Sequence, residues 1–208
     1  MHIESARFCA IDIETTGLNP EKDEMIALAC MPIVHMRILV RETFYTLIKP
    51  KRYSFKTMRY HGISQDDLMD APVFEEVADG ILKVLDGVLV GHSVEFDFSF
   101  LKMHFKTVGV NFKRKCLDIA KVEQWLRQKR RNPDMDLSFD AMMQFYGLKQ
   151  YYRHNAAADA FFAAQIFQMQ MREMQTHGVD TVDKVIKAAK SSRHAGRVLP
   201  SSIPLPER

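Results

Sequence analysis

The sequence predicts an α/β protein in which a mixed central sheet carries helices on both faces. Two observations support this prediction: residues 8–48 contain three strand-like segments, and the later residues alternate helical periodicity with short apolar strands. Strands followed by alternating helices and strands are typical of a mixed sheet covered by helices. The chain has 208 residues, 47% of them hydrophobic, which is enough for one substantial core.

The three strand-like segments are expected to form an antiparallel meander. The first surrounds Ile11 and Ile13, and the other two cover residues 24–32 and 38–48. In these segments, β-branched and aromatic residues lie between polar, turn-like stretches, which is the usual strand signal.

Capping residues and hydrophobic spacing indicate the helices. One is expected to begin at Ser64, because serine is a favoured N-cap and Asp66 and Asp67 would oppose the helix dipole. A short strand is expected at residues 88–90, and residues 116–128 could begin as a strand and continue as a helix. Helical patterns cover residues 75–85, 95–108, 137–146, 156–174 and 182–189.

The chain is expected to fold as one domain over residues 1–178. Residues 179–208 would form a short amphipathic segment and a basic, proline-containing, flexible tail. No apolar run reaches the roughly 18 residues of a membrane span, and no leader pattern opens the chain, so a cytoplasmic location is expected. Cys9, Cys30 and Cys116 are odd in number and widely spaced, which favours buried reduced thiols over a disulfide or a zinc site.

The net charge of +3 conceals two basic runs. Residues 37–60 and residues 113–131 each carry a local balance of +6. Such concentrations are typical of surfaces that bind a polyanion such as nucleic acid. The alternative is that both runs are merely solvated faces of the protein.

Two carboxylates, Asp12 and Glu14, interrupt the apolar first strand. Alternate side chains of a strand share a face, so both acids would point to one side and Ile11 and Ile13 to the other. Neighbouring like charges favour a divalent metal between them, because hard cations prefer carboxylate oxygens. The alternative is a strand that leaves the core with two solvated acids.

Three further residues could complete such a site. Asp97 and Asp159 lie in apolar stretches near predicted helix starts, where a charge rarely stays without a partner, although either could simply oppose a helix dipole. His154 would lie in the loop before the last long helix. An imidazole that titrates near neutral pH suits a general base, although a structural or exposed histidine is the alternative.

Together these residues resemble the three motifs of the DEDDh (DnaQ-like) 3′-5′ exonucleases, a family that includes the proofreading epsilon subunits of bacterial DNA polymerase III. The resemblance covers about residues 8–174. Its motifs are Asp12-Ile13-Glu14-Thr15-Thr16-Gly17-Leu18, then Gly91-His92-Ser93 with Phe96-Asp97, then His154-Asn155-Ala156 with Asp159. Ser93 departs from the family pattern, because many members carry Asn there.

The resemblance implies an RNase H-like fold and hydrolysis of phosphodiester bonds assisted by two Mg²⁺ ions, which Mn²⁺ could replace. Asp12, Glu14, Asp97 and Asp159 would be the metal ligands, and His154 the general base. Activity would then fall below about pH 6.5, the ordinary histidine pKa. The residues implied to bind the terminal nucleotide are Ile13, Thr15, Leu18, His61, His92, Phe96 and His154.

The implied substrate is the 3′ end of a single strand, DNA first, from which nucleoside 5′-monophosphates are released during proofreading or repair. A DNA polymerase subunit is the implied protein partner. RNA 3′-end processing is the nearest alternative. A non-catalytic module that binds nucleic acid or a polymerase is the alternative of another class.

Overall fold

The computed structural model describes residues 1–132, 136–149 and 155–191. The strands are β1 (Arg7–Thr15), β2 (Met25–Val34), β3 (Arg37–Ile38), β4 (Phe44–Leu47), β5 (Val88–Gly91) and β6 (Cys116–Asp118). The helices are α1 (Phe55–His61), α2 (Phe74–Val84), α3 (Glu95–Thr107), α4 (Ile119–Lys129), α5 (Phe139–Phe145), α6 (Ala156–Thr176) and α7 (Val182–Ser191). Within these ranges, no helix combines the length and apolar character that crossing a membrane requires.

The strands form one mixed sheet in the order β3-β2-β1-β5-β6, and β4 also pairs with β2. Strand β1 is antiparallel to β2 and parallel to β5, and β5 is parallel to β6. The prediction of a mixed sheet is therefore confirmed. The meander prediction is confirmed, because β2 is antiparallel to β1 and also to β3 and β4, and β1 lies at the centre of the sheet.

The side chains of β1 alternate between two cores. Phe8 and Ala10 belong to a cluster that includes residues of α4, α5, α6 and α7. Cys9, Ile11 and Ile13 belong to a second cluster, built with α2 and α3. Helices therefore cover both faces of the sheet. By the same alternation, Asp12 and Glu14 follow Phe8 and Ala10 onto the α6 face.

The single strand predicted over residues 38–48 is wrong. The chain forms β3, leaves the sheet in a 3-10 turn at Val40–Glu42, and returns as β4 further along the same strand β2. The Glu42 N–H donates to the Leu39 carbonyl (2.9 Å), and the Thr43 hydroxyl donates to the Val40 carbonyl (2.7 Å). These local bonds replace the ladder, which strand-favouring composition does not reveal.

The helix predicted to begin at Ser64 is also wrong. Helix α1 precedes it and ends at Gly62, whose φ of 69° is a left-handed conformation that suits glycine. Ser64 and Asp67 do exchange capping hydrogen bonds, but they start only one 3-10 turn, Asp66–Leu68. Pro72 follows closely, and a proline disfavours helical backbone in the residue before it.

The prediction of three reduced thiols is wrong for one pair. Cys9 and Cys30 form a disulfide, with their Cα atoms 6.0 Å apart. The pairing of β1 with β2 brings them together on one face, although they are 21 positions apart in the sequence. Cys116 is a free thiol, and burial, followed by the charges of Glu95 and Asp97, raises its pKa to about 12.

Candidate active site

The two acids of β1 lie in the carboxyl-terminal half of the strand, which is buried up to its last residue. Both Asp12 and Glu14 are buried, and both face α6. The ladder with β2 continues to the carboxyl end of β1, where its register shifts between Glu14 and Thr15. A rigid central strand thus presents two carboxylates on one face, as the residue alternation predicts.

Asp97 reaches this strand from the first turn of α3. Its Oδ1 accepts a hydrogen bond from the backbone N–H of Ile13, at 3.1 Å, which lies between the two acids of β1. Burial raises the pKa of Asp97 well above its ordinary value and the nearby Asp118 carboxylate adds to this, whereas hydrogen bonds from its own backbone and from Ile13 oppose it. A charged Asp97 therefore needs a compensating positive charge.

Asp159 approaches from the first turn of α6. Asn155 caps this helix, because its Oδ1 accepts from the N–H of Ala158 at 3.1 Å. Ala156 and Ala160 pack against Ala29, the β2 residue directly opposite Asp12. Since these side chains are small, the helix start lies close to the sheet, and buried Asp159 is brought to the face of Asp12.

The donor set fits a hard divalent cation. All four groups are carboxylates, the ligands that Mg²⁺ and Mn²⁺ prefer, and they come from β1, α3 and α6. In the part of the chain that the structure describes, no three His, Cys, Asp or Glu side chains already surround one point. The negative charges of the four carboxylates repel one another, and a bound cation would offset this repulsion.

The loop after β1 holds one exposed apolar side chain next to the acids. Thr15 is buried and its hydroxyl donates to the Gly17 carbonyl at 2.6 Å, which folds the chain back. Leu18 then remains 49% exposed. An exposed leucine beside buried carboxylates is consistent with contact to a bound nucleotide. The side chain of Ile13, in contrast, lies in the core, so that only its backbone faces Asp97.

The side chains of three predicted pocket residues outside β1 contact neighbouring residues of the protein. The buried His61 ring bonds Thr57 Oγ1 at 3.1 Å and accepts from the Ile63 N–H at 3.0 Å. His92 Nε2 donates to the Leu137 carbonyl at 3.0 Å, and Phe96 packs on Phe100 at 4.9 Å between ring centroids. His154, the predicted general base, lies outside the described residues.

Asp118 is a buried acid that the motif pattern does not single out. It ends β6 beside Gly91, and its Oδ1 accepts from the N–H groups of Ser93 (3.3 Å) and Ala120 (2.9 Å). It therefore ties the turn of the second motif to the start of α4. An acid directly after a short apolar strand, the same signal as Asp12, could have revealed it.

The mixed sheet with helices on both faces is an RNase H-like fold, which solved structures share. The chain belongs to the exonuclease family, because its residues 9–167 match the RNase_T family model, described as an exonuclease. The resemblance to DEDDh 3′-5′ exonucleases is thereby confirmed. Dependence on a divalent metal is a property of this family.

Similar proteins include two that are named for DNA polymerase III. A PolC-type DNA polymerase III of Caldanaerobacter subterraneus subsp. tengcongensis is 33% identical over 181 residues, which cover 86% of this chain and 12% of that protein. The DNA polymerase III subunit epsilon of Rickettsia typhi is 28% identical over 171 residues, which cover 79% of this chain and 74% of that subunit. The chain therefore spans about an eighth of the PolC-type polymerase that it matches.

Two solved structures share the fold. Exonuclease X in complex with 5′ overhanging duplex DNA superposes with a TM-score of 0.67 at 20% identity, over 88% of this chain and 99% of that one. The nuclease domain of 3′hExo, a DEDDh family member bound to rAMP, gives 0.66 at 18% identity, over 83% and 95%.

Proposed function

We propose that the protein is a metal-dependent 3′-5′ exonuclease that hydrolyses the terminal phosphodiester bond of DNA and releases nucleoside 5′-monophosphates. The observation that supports this proposal is that four buried carboxylates lie on β1 and on the first turns of α3 and α6, with Asp97 hydrogen-bonded to the backbone between Asp12 and Glu14, in a chain of the exonuclease family. Burying several carboxylates near one another is costly unless a cation compensates them.

We assign the four acids, Asp12, Glu14, Asp97 and Asp159, to two Mg²⁺ ions, for which Mn²⁺ could substitute. Bound ions of this kind lower the pKa of water and neutralise charge on the reacting phosphate. His154 would take the proton of the attacking water, for which its imidazole must be neutral. The other groups would hold the terminal nucleotide: the Ile13 backbone, Thr15, Leu18, His61, His92 and Phe96.

DNA is the proposed substrate because both the PolC-type protein and the epsilon subunit are named for DNA polymerase III. We place the activity in proofreading or repair, in the cytoplasm, with a polymerase subunit as the candidate partner. RNA ends are the second candidate, since the 3′hExo nuclease domain, of the same fold, is bound to rAMP.

Digestion of 3′-labelled single-stranded DNA and RNA tests the proposal. With Mg²⁺, we expect labelled nucleoside monophosphate from DNA and none after chelation by EDTA. Asp12→Asn should lower the rate at least about a hundredfold, because it weakens metal binding. Asp79→Asn, which changes an exposed acid of α2, is the matched control and should leave the rate unchanged.

Absence of metal-dependent release from both substrates would overturn the enzyme proposal and favour a binding module. Faster release from RNA than from DNA would replace the DNA proposal with RNA 3′-end processing. Copurification with polymerase III proteins tests the partner separately.

A further inference from the structure

The two basic runs have the same charge in the sequence but different surroundings in the structure. In residues 113–131, neighbouring acids pair with four of the eight cations. The ion pairs of this run are Arg127 and Arg130 with Glu123, Arg130 also with Glu173, Lys115 with Asp183, and Lys121 with Glu95. Five of its eight cations are exposed, so neighbouring acids compensate the charge of this run only in part.

The other run keeps its charge in the solvent. Its densest part, residues 51–60, carries a balance of +4 with no acid. Lys51, Arg52, Lys56 and Arg59 are all exposed, and none of them forms a salt bridge with an acid in the described ranges. Charge held in this way suits an anionic partner.

Apolar surface lies among these cations. Phe55, the first residue of α1, is 71% exposed, and Met58 is 38% exposed. The Phe55 ring meets the Tyr53 ring edge-on, with centroids 4.9 Å apart. Phe55 and Arg59 are four positions apart in the helix and hence neighbours on its surface. Exposed aromatic rings among cations are typical of surfaces that bind single strands.

The segment is attached directly to the candidate active site. Glu24 Oε1 accepts hydrogen bonds from the backbone N–H groups of Lys51 (3.0 Å) and Arg52 (3.2 Å). The Glu24 backbone in turn pairs with Thr16, whose N–H donates to the Glu24 carbonyl at 2.9 Å. Thr16 is two residues beyond Glu14. The cationic segment thus starts beside the carboxyl end of β1.

We propose that residues 51–60, the α1 surface, bind the single strand upstream of the 3′ end, with cations on phosphates and Phe55 stacked on a base. This inference rests on the proposed function and gives the site a specific strand-binding surface. The proposal assigns no strand contact to the cations of residues 113–131, whose charge neighbouring acids partly compensate.

Salt dependence of binding tests the proposal without hydrolysis. A 5′-fluorescein oligothymidylate is titrated by anisotropy in EDTA, at several salt concentrations, with the full chain. Each phosphate contact on a single strand contributes about 0.7 to the slope of log affinity against log salt. The double variant Lys56→Ala/Arg59→Ala should therefore lower the slope by about 1.4. The matched control is Lys113→Ala/Lys129→Ala, which removes two charges from the other run and should leave the slope unchanged.

The aromatic contact has its own variants. Phe55→Ala should weaken binding by about tenfold without changing the salt slope. Phe55→Tyr should bind as tightly as the unmodified protein, because a stacked ring contributes through its face. Urea unfolding curves that match the unmodified protein show that each variant is folded.

The α1 surface is overturned if the control variant lowers the slope and the α1 variant does not, or if Phe55→Ala binds normally. These outcomes are separate from failure of the proposed function. If the protein digests DNA but the salt slope of the α1 variants equals that of the unmodified protein, only this inference is wrong. If the α1 variants lower the salt slope but no metal-dependent digestion occurs, only the proposed enzyme activity is wrong.

Discussion

Glu123 lies at the centre of a buried hydrogen-bond network between the helices on the α6 face of the sheet. Its carboxylate is fully buried and accepts from Arg127 Nε at 3.0 Å, Arg130 Nη1 at 2.7 Å and the Tyr146 hydroxyl. Gln170 of α6 donates a further hydrogen bond at 3.1 Å. One side chain of α4 therefore joins α4 to α6 and to the end of α5.

The same network reaches the second motif. Arg127 is buried, and its Nη1 donates to the Asp136 carbonyl at 2.8 Å. The next carbonyl, that of Leu137, accepts from His92 Nε2. Glu123 thus acts through Arg127 on the segment that contacts His92, so its role is one of positioning.

We predict that Glu123→Gln lowers the free energy of unfolding by about 3–5 kcal/mol, because Arg127 would be left buried without its counter-charge. Glu173→Gln is the matched control. That acid is partly exposed and pairs with Arg130 at the rim, so its loss should cost about 1 kcal/mol or less. Urea unfolding at neutral pH measures both, and equal losses would contradict the prediction.

His104 makes stability depend on pH. Its Nε2 accepts from the Met25 N–H at 3.3 Å and its Nδ1 faces the Phe100 carbonyl at 3.0 Å, so the neutral ring with the proton on Nδ1 fits. Burial lowers its pKa, the charge of Lys51 adds to this, and the Phe100 carbonyl, Glu24 and Glu75 oppose it. The folded protein thus takes up this proton less readily than the unfolded chain.

Stability should therefore decline as pH falls from about 6.5, the unfolded histidine pKa, toward the lower folded value. We predict that His104→Gln makes unfolding free energies less sensitive to pH between about 7.5 and about 5.5. The exposed His177 gives the control variant, His177→Gln, which should keep the original decline. Chemical denaturation at both pH values measures the unfolding free energies. If the unfolding free energy of His104→Gln falls as steeply with pH as that of the unmodified protein, His104 is not the group responsible.

At the scale of elements, the start of α6 positions an acid through small residues. Ala156 and Ala160 contact Ala29 on β2, and Asp159 lies between them in the helix. Any larger side chain at these contacts must push the helix start away from the sheet, because the interior is close-packed.

Ala160→Leu should lower the unfolding free energy by about 1–3 kcal/mol and reduce exonuclease activity more than this loss explains. A displacement of a catalytic group by about 1 Å can cost about a hundredfold in rate. The matched variant Ala158→Leu changes a half-buried neighbour and should keep most of the activity. Rates measured on fully folded samples make the comparison, and equal rates for the two variants would show that close packing here does not position Asp159.

The elements also show what the sequence could predict. Alternation of Phe8 and Ala10 with Ile11 and Ile13 fixed the face of Asp12, and the structure confirms it. Helix α1 was missed because it buries only Thr57 and His61, so it carries no apolar stripe. The Cys9 disulfide depends on strand register, which spacing along the chain does not encode. The predicted roles of the acids and of His154 stay predictions.

At the scale of the whole molecule, residues 1–3 pair with residues 180–182, at the start of α7. His2 pairs with Thr181, the Ile3 N–H donates to the Asp180 carbonyl at 2.9 Å, and the Val182 N–H donates to the Met1 carbonyl at 3.0 Å. Helix α7 follows directly and packs into the cluster shared with α4. Its buried residues are Val182, Val185, Ala188 and Ala189. The boundary predicted after residue 178 stays a prediction, but α7, beyond it, shares a core with the sheet.

This packing predicts different results for two truncations. A chain ending at residue 178 loses α7 with its buried valines, and each fully buried valine contributes about 1.5–3 kcal/mol, so unfolding should become easier by several kcal/mol. It also loses the bonds that hold Met1 and Ile3, and the first strand should exchange its amide hydrogens faster. A chain ending at residue 191 keeps α7 and should unfold as the full chain does. Urea unfolding and hydrogen exchange compare the three, and equal stability of the shortest chain would show that α7 is dispensable to the core.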